Sequence, residues 1–309
     1  MWWGSRPFDV NGERSCPCYL STRAMRPRNV SLIQLNIAVL MWGGTAMFAK
    51  GIALPVSHII CWRSLVGAAA LLVVLLPYGR PFAVRKDRHY GLMIVLGLLL
   101  CVHWLTYVKA LRVSTAAVAI LALHTYPVIT ALIEPFIFRE KLRKSDIALA
   151  LLVFVGILIM TPELSLTNTT TQGIALGVIS GLFFMTRNLL TRKYVHQYSG
   201  SALMFWQMLV TGVVLFPWVL ADGVDLSPRT GGLLVLLGVV FTAVPHTMFS
   251  ASFKHLSAKT VGIIATLLPF YGALFGYLIH DEALAPRTAI GGLVVLVGIA
   301  FETLQSVKR

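Results

Sequence analysis

A few residues able to do chemistry stand inside long apolar runs of this sequence, where ionisable groups are costly and so become functional candidates. Glu134 is the sharpest. It follows Pro127 by seven residues and so shares nearly the same helix face. A carboxyl group there can load and release a proton, or hold a positive substrate group. The competing reading is an ion pair with Arg139 or Arg143 at the end of the run. His124 and Tyr126 stand just before Pro127. Proline removes a backbone hydrogen bond and bends a helix, freeing a carbonyl to line a cavity. His124 is then a substrate contact or proton relay, or else an imidazole bonded to a neighbouring helix. His103 and Tyr107 are four apart and share a face, with Trp104 beside them. An aromatic lining suits an amphipathic substrate; the alternative is an aromatic belt at the lipid interface. Pro245-His246, and Pro269 with Tyr271, are comparable kinked polar spots later in the chain. Arg63 is an anion contact, or a side chain that snorkels to one interface as Arg187 can at the other. Asn188 and Gln207 suit hydrogen bonds between helices.

No metal or cofactor is expected. Of the four cysteines, Cys61 and Cys101 lie in apolar runs and read as small buried hydrophobes. Cys16 and Cys18 lie in a polar tail without a second pair or a histidine cluster.

The elements that position these residues are membrane helices. The chain has 309 residues, 57% hydrophobic and 12% charged, with mean hydropathy +0.79. A soluble domain carries roughly 25% charged residues. The apolar runs are long enough to span a bilayer and do not alternate as a membrane barrel requires. Spans are expected at 32–49, 57–77, 90–108, 115–138, 146–161, 173–191, 201–220, 231–251, 258–280 and 288–304, an all-α membrane protein of ten transmembrane helices. Residues 1–30 hold five arginines and no apolar h-region, so they read as a disordered cytoplasmic tail rather than a signal peptide. Met25, before Arg26-Pro27-Arg28, also suits a membrane-protein start.

The net charge of +14 fits topology better than nucleic acid, because the basic residues sit in short loops and no recognition motif accompanies them. With the N-terminus in the cytoplasm, nineteen Lys and Arg fall inside and five outside: Lys50, Lys109, Arg112, Arg229 and Arg287. Both termini are therefore expected in the cytoplasm of a cell inner membrane.

Shifted by 142 residues, the chain matches itself. Pro127 falls on Pro269, Glu140 on Glu282, Gly156 on Gly298, Lys50 on Arg192 and Trp42 on Phe184. Thr115-Ala116 falls on Ser257-Ala258. Five helices per unit put the second copy on the opposite side of the membrane, the inverted repeat of many secondary carriers, with a substrate site near the midplane. Such a repeat requires no oligomer. Glu140 and Glu282 end the two kinked helices and suit capping or pairing with basic loop residues better than substrate contact.

The repeated stretches Ala110 to Ala117, Tyr126-Pro127-Val128 and Phe138-Arg139-Glu140-Lys141-Leu142 resemble the EamA domain of the drug/metabolite transporter superfamily. Ser257-Ala258, Leu268-Pro269 and Asp281-Glu282-Ala283-Leu284 repeat that likeness; Trp42-Gly43 and Arg63 also fit. The resemblance covers residues 31–305. It implies two EamA repeats (31–161 and 172–305), cytoplasmic termini, and export of amino acids or other small metabolites. Two departures are the lack of tryptophan in the sixth helix and His280 before the motif glutamate. No nucleotide-binding GxxxxGK[ST], HExxH or GxSxG is present, which disfavours a pump or a membrane enzyme. A proton-coupled secondary transporter is expected, with a passive facilitator or channel as the alternative. The expected partners are a small-molecule substrate, lipid and protons.

Overall fold

A computed structural model describes residues 27–78, 84, 88–138, 142, 144–163, 165, 167–194, 198–223, 227–252, 255–256 and 264–305; a few side chains within helices, Glu134's among them, lie outside the description. The described elements are all helical: α1 Pro27–Gly51, α2 Val56–Leu75, α3 Arg88–Val113, α4 Ala116–Leu123, α5 Tyr126–Phe138 and α6 Lys144–Met160. They continue with α7 Thr169–Tyr194, α8 Gly200–Asp222, α9 Pro228–Gly238, α10 Val244–Ser252, α11 Leu268–His280 and α12 Pro286–Gln305.

Local chemistry sets the boundaries. Thr115, Ser199 and Ser227 cap α4, α8 and α9, each hydroxyl accepting from a backbone N–H three residues on. Gly223, at φ +76°, ends α8 in a conformation that costs other residues strain. Among the described residues, six stretches of helix are long and apolar enough to cross a membrane: Val56–Leu75, His89–Val113, Ala116–Ile133, Thr169–Thr191, Gly200–Asp222 and Pro228–Phe249. Pro286–Phe301 is a shorter one. Leu151, Phe154, Leu220 and Leu293 are exposed large apolar side chains, as a lipid-facing surface requires.

Two expected helices differ from the sequence reading in the same way. The run 115–138 is not one kinked helix but two, α4 and α5, divided by a turn at His124-Thr125. In the run 258–280 the turn falls at Thr266-Leu267, before α11, and residues 258–263 lie outside the described residues. The two turns are 142 positions apart. Pro127 and Pro269 each occupy the second position of a new helix, where a missing N–H costs least. A π-helical turn, Val239–Ala243, joins α9 to α10 and is an irregularity the apolar pattern does not reveal.

The packing repeats under the same shift. Helix α3 lies against α7, and α10 against α1; α5 lies against α7, and α11 against α1. Helices α2 and α8 pack on each other, as do α6 and α12, each pair exchanging its members under the shift. The α6–α12 contact is closed by glycine. A Cβ added at Gly291 would stand 2.5 Å from the Gly156 carbonyl oxygen and 2.9 Å from the Met160 nitrogen. Backbone atoms cannot yield as a flexible side chain does. Gly291→Val should therefore destabilise the fold by about 1–3 kcal/mol or more, read as a lower melting temperature in detergent. An unchanged melting temperature would mean the helices separate there at no cost.

Candidate functional site

The polar candidates converge on one cavity of about 70 Å³. It is lined by Val39, Trp42 and Thr45 of α1, Arg63 of α2, and His103, Trp104 and Tyr107 of α3. Leu123, His124 and Tyr126 line it from the α4–α5 break, Phe184 from α7, His246 and Phe249 from α10, and Ala265 and Leu268 from the second break. Ten of these residues form five pairs separated by 142 positions: Trp42 and Phe184, Trp104 and His246, Tyr107 and Phe249, Leu123 and Ala265, Tyr126 and Leu268. Equivalent positions of two repeats meet around one space only if that space lies between them, on their axis of exchange. At roughly 10–15 Å³ per water, the cavity holds a handful of waters and is contracted compared with pockets of about 300–1,000 Å³.

Arg63 does not snorkel. It is 2% exposed, and its Nε and Nη2 both donate to Thr242 Oγ1, at 3.2 and 2.9 Å. Its guanidinium carbon lies 4.3 Å from the centre of the Trp104 ring, a cation–π contact. Thr242 stands in the π-helical turn and donates its own hydroxyl to the Leu237 carbonyl at 2.7 Å. The irregular turn thus presents an acceptor to the arginine. Arg187 is also buried rather than snorkelling: its Nε donates to Gln207 Oε1 and its Nη1 to Asn188 Oδ1 at 3.2 Å. Gln207 does bridge two helices, to an arginine, whereas Asn188 bonds only to its neighbour Arg187 in α7; Gln207 Nε2 is buried without a partner among the described residues.

The histidines are held by neutral groups. His103 Nδ1 lies 2.7 Å from Ser180 Oγ, which donates to the His103 carbonyl. His124 Nδ1 lies 2.9 Å from the Ile120 carbonyl, one turn back. His246 Nδ1 lies 2.8 Å from the Thr242 carbonyl and 3.2 Å from Trp42 Nε1; its tautomer decides which bond forms. The rings of His103 and Tyr107 stack, with Phe184 against His103. Trp104 and Tyr107 are buried in the cavity wall, not set in a belt at the lipid interface.

Other candidates are not among the lining residues. Tyr271 is not part of the lining; it backs onto α1, where a Cβ at Gly43 would stand 2.6 Å from the Tyr271 Cβ. Glu140 lies outside the described residues. Glu282 lies at one end of the bundle, where its carboxylate accepts from the Lys50 ammonium and, at 2.7 Å, from the Ala116 backbone N–H. Lys50 donates also to the Ser114 carbonyl at 2.7 Å, and Arg112 Nη2 to the Ile52 carbonyl at 2.8 Å. These bonds tie the ends of α1, α3, α4 and α11 together. Glu134 belongs to α5, eight residues beyond Tyr126, about 12 Å along the helix axis from the cavity wall and away from Glu282.

Sequence reasoning passed over Thr45, Phe184 and Phe249. The repeat could have found two of them, since Phe184 and Phe249 stand 142 positions from Trp42 and Tyr107.

Apolar helices long enough to span a bilayer, folded in two exchanging sets around an internal polar and aromatic cavity, define a multi-pass membrane protein with the build of a transporter. Residues 30–161 and 171–304 match the model of the EamA-like transporter family, and the chain belongs to that family. It is 26% identical over 279 residues to an uncharacterised transporter of Archaeoglobus fulgidus, covering 90% of this chain and 96% of that protein. It is 24% identical over 249 residues to the uncharacterised transporter YxxF of Bacillus subtilis, covering 79% and 80%. A solved crystal structure shares the fold, with TM-score 0.63 and 17% identity over 90% of this chain and 99% of its own.

Proposed function

We propose that the protein is a secondary transporter that moves amino acids or other small metabolites out of the cell by alternating access. The observation that carries this reading is the cavity between the repeats, lined by five pairs of equivalent positions. A site on an axis of exchange can be served from either side by rocking one half against the other. In this reading ten spans form two inverted five-helix units, residues 31–161 and 172–305, in an inner membrane with both termini cytoplasmic. Glu134, with His124 on the neighbouring helix of the break, exchanges the coupling proton.

The test is a counterflow screen in proteoliposomes covering amino acids, nucleosides, organic acids and cationic drugs. Saturable exchange of one class supports the reading; no exchange of any class opposes it. Accumulation driven by a proton gradient separates a coupled carrier from a passive facilitator.

Orientation follows from the charge bias. Reporter fusions after Pro162 and after Asp222 should read outside, and those at Lys86, Lys144 and Lys308 inside. A cytoplasmic signal at Pro162 would overturn the five-plus-five arrangement.

A further inference from the structure

Resting on the transport reading, we propose that the central site takes organic monoanions with an apolar body, and that Arg63 binds the anionic group. The cavity brings a buried guanidinium to an aromatic wall that holds no acid among the described residues. Among the described residues the only ion pairs are Lys50–Glu282 and His58–Asp222, and neither lies in the lining. Arg63 spends two N–H groups on one threonine hydroxyl, and its Nη1 has no hydrogen-bond partner among the described residues. A guanidinium carries five N–H donors and accepts nothing, so Arg63 keeps donors that no described residue uses.

The same imbalance recurs behind Phe184. Arg187 is bonded there to two neutral amides, and the buried Gln207 Nε2 has no acceptor. Two helix N-termini add to the field. Helices α5 and α11 both begin at the cavity, with Tyr126 and Leu268 in the wall, and α11 has no side-chain cap on its first turn. The N-terminal end of a helix carries partial positive charge and favours an anion.

A carboxylate matches a guanidinium edge in two parallel bonds. Trp42, Tyr107, Phe184 and Phe249 elsewhere in the lining suit an apolar or aromatic body. A zwitterionic amino acid fits less well, because its ammonium group would find no described acid in the wall. The inference thus narrows the substrate class to acids that lack a compensating amine.

The experiment uses the full chain in lipid nanodiscs. Equilibrium binding of radiolabelled 3-phenylpropionate is measured with L-phenylalanine, 2-phenylethylamine and sodium chloride as competitors. Saturable binding of 3-phenylpropionate is expected. The amine and chloride should not displace it, and L-phenylalanine should compete roughly tenfold or more weakly. Arg63→Gln should weaken binding roughly tenfold or more, and Arg63→Lys should restore part of it. No saturable binding, equal competition by the amine or by L-phenylalanine, or unchanged binding in Arg63→Gln would overturn the proposal. Equal competition by chloride would show an inorganic anion site and overturn it too. Should Arg63→Gln fail to fold, the wild-type competition series decides alone. Counterflow of the same probes is run in parallel. Binding as expected without counterflow would leave the site standing and remove the transport reading; counterflow of the amine alone would do the reverse.

Discussion

Glu282→Gln should open the cavity at the Lys50 end. The Glu282 carboxylate is the shared acceptor of two donors from separate elements, the Lys50 ammonium at the end of α1 and the Ala116 N–H at the start of α4. Its side chain is 11% exposed, so water screens it little. A hydrogen bond to a charged group contributes about 1.5–3 kcal/mol, and glutamine keeps the shape while removing the charge. If the contact exists only when this end is closed, its loss shifts the open population by roughly tenfold to a hundredfold. The measurement is labelling of a Thr45→Cys reporter in the cavity wall by an impermeant maleimide, in cells and in inverted vesicles. The rate should rise in the orientation that exposes the Lys50 end. An equal rate would make the cluster a helix cap without control of access. The shift of 142 supplies an internal control. It places Glu140 on Glu282 and Arg192 on Lys50, so Glu140→Gln should raise labelling from the other face.

Much of this arrangement was legible in the sequence because two signals are carried by spacing alone. Apolar runs mark the helices long enough to cross a bilayer, and the shift of 142 pairs the two halves. Together they set α1, α7, Trp42 and Phe184 in equivalent places. The resemblance in Ala110 to Ala117 and around Pro127 pointed to the family that the match over both halves establishes. What spacing does not carry is which way a side chain turns around its helix. Arg63 near the end of an apolar run has the pattern of a snorkelling residue, and only the π-helical turn that offers Thr242 explains why it faces inward. Arg187 follows the same logic with Gln207 and Asn188. The break at His124-Thr125 falls in the turn that Pro127 disturbs, and the apolar pattern does not tell a bend there from a full break. Tyr271 shares a repeat motif with the cavity residues but packs on Gly43, since a neighbouring helix comes close enough there to cover it.

Glu134→Gln should abolish the response to a pH gradient while leaving substrate exchange intact. Of the twelve acids in the chain, Glu134 alone stands well inside an apolar run and also follows a helix break at the cavity. In the proposed mechanism the coupling proton binds there, beyond the α4–α5 break. Glutamine preserves the volume and the hydrogen-bonding capacity and removes the titration. Counterflow, which needs only the loaded forms of the carrier, should therefore persist near the wild-type rate. Uptake driven by a pH gradient should fall to the level of vesicles without a gradient. If the substrate is a monoanion, one drive remains. A single charge crossing the membrane potential is worth about 2.3 kcal/mol per 100 mV, a ratio of roughly fiftyfold at equilibrium. In Glu134→Gln vesicles the flux should then follow a potassium–valinomycin potential and ignore external pH. Loss of both exchange and gradient response would make Glu134 a structural or substrate contact. Loss of neither would place it in an ion pair with Arg139 or Arg143, and the coupling proton would have to pass through His124, His103 or His246, each of which lines the cavity.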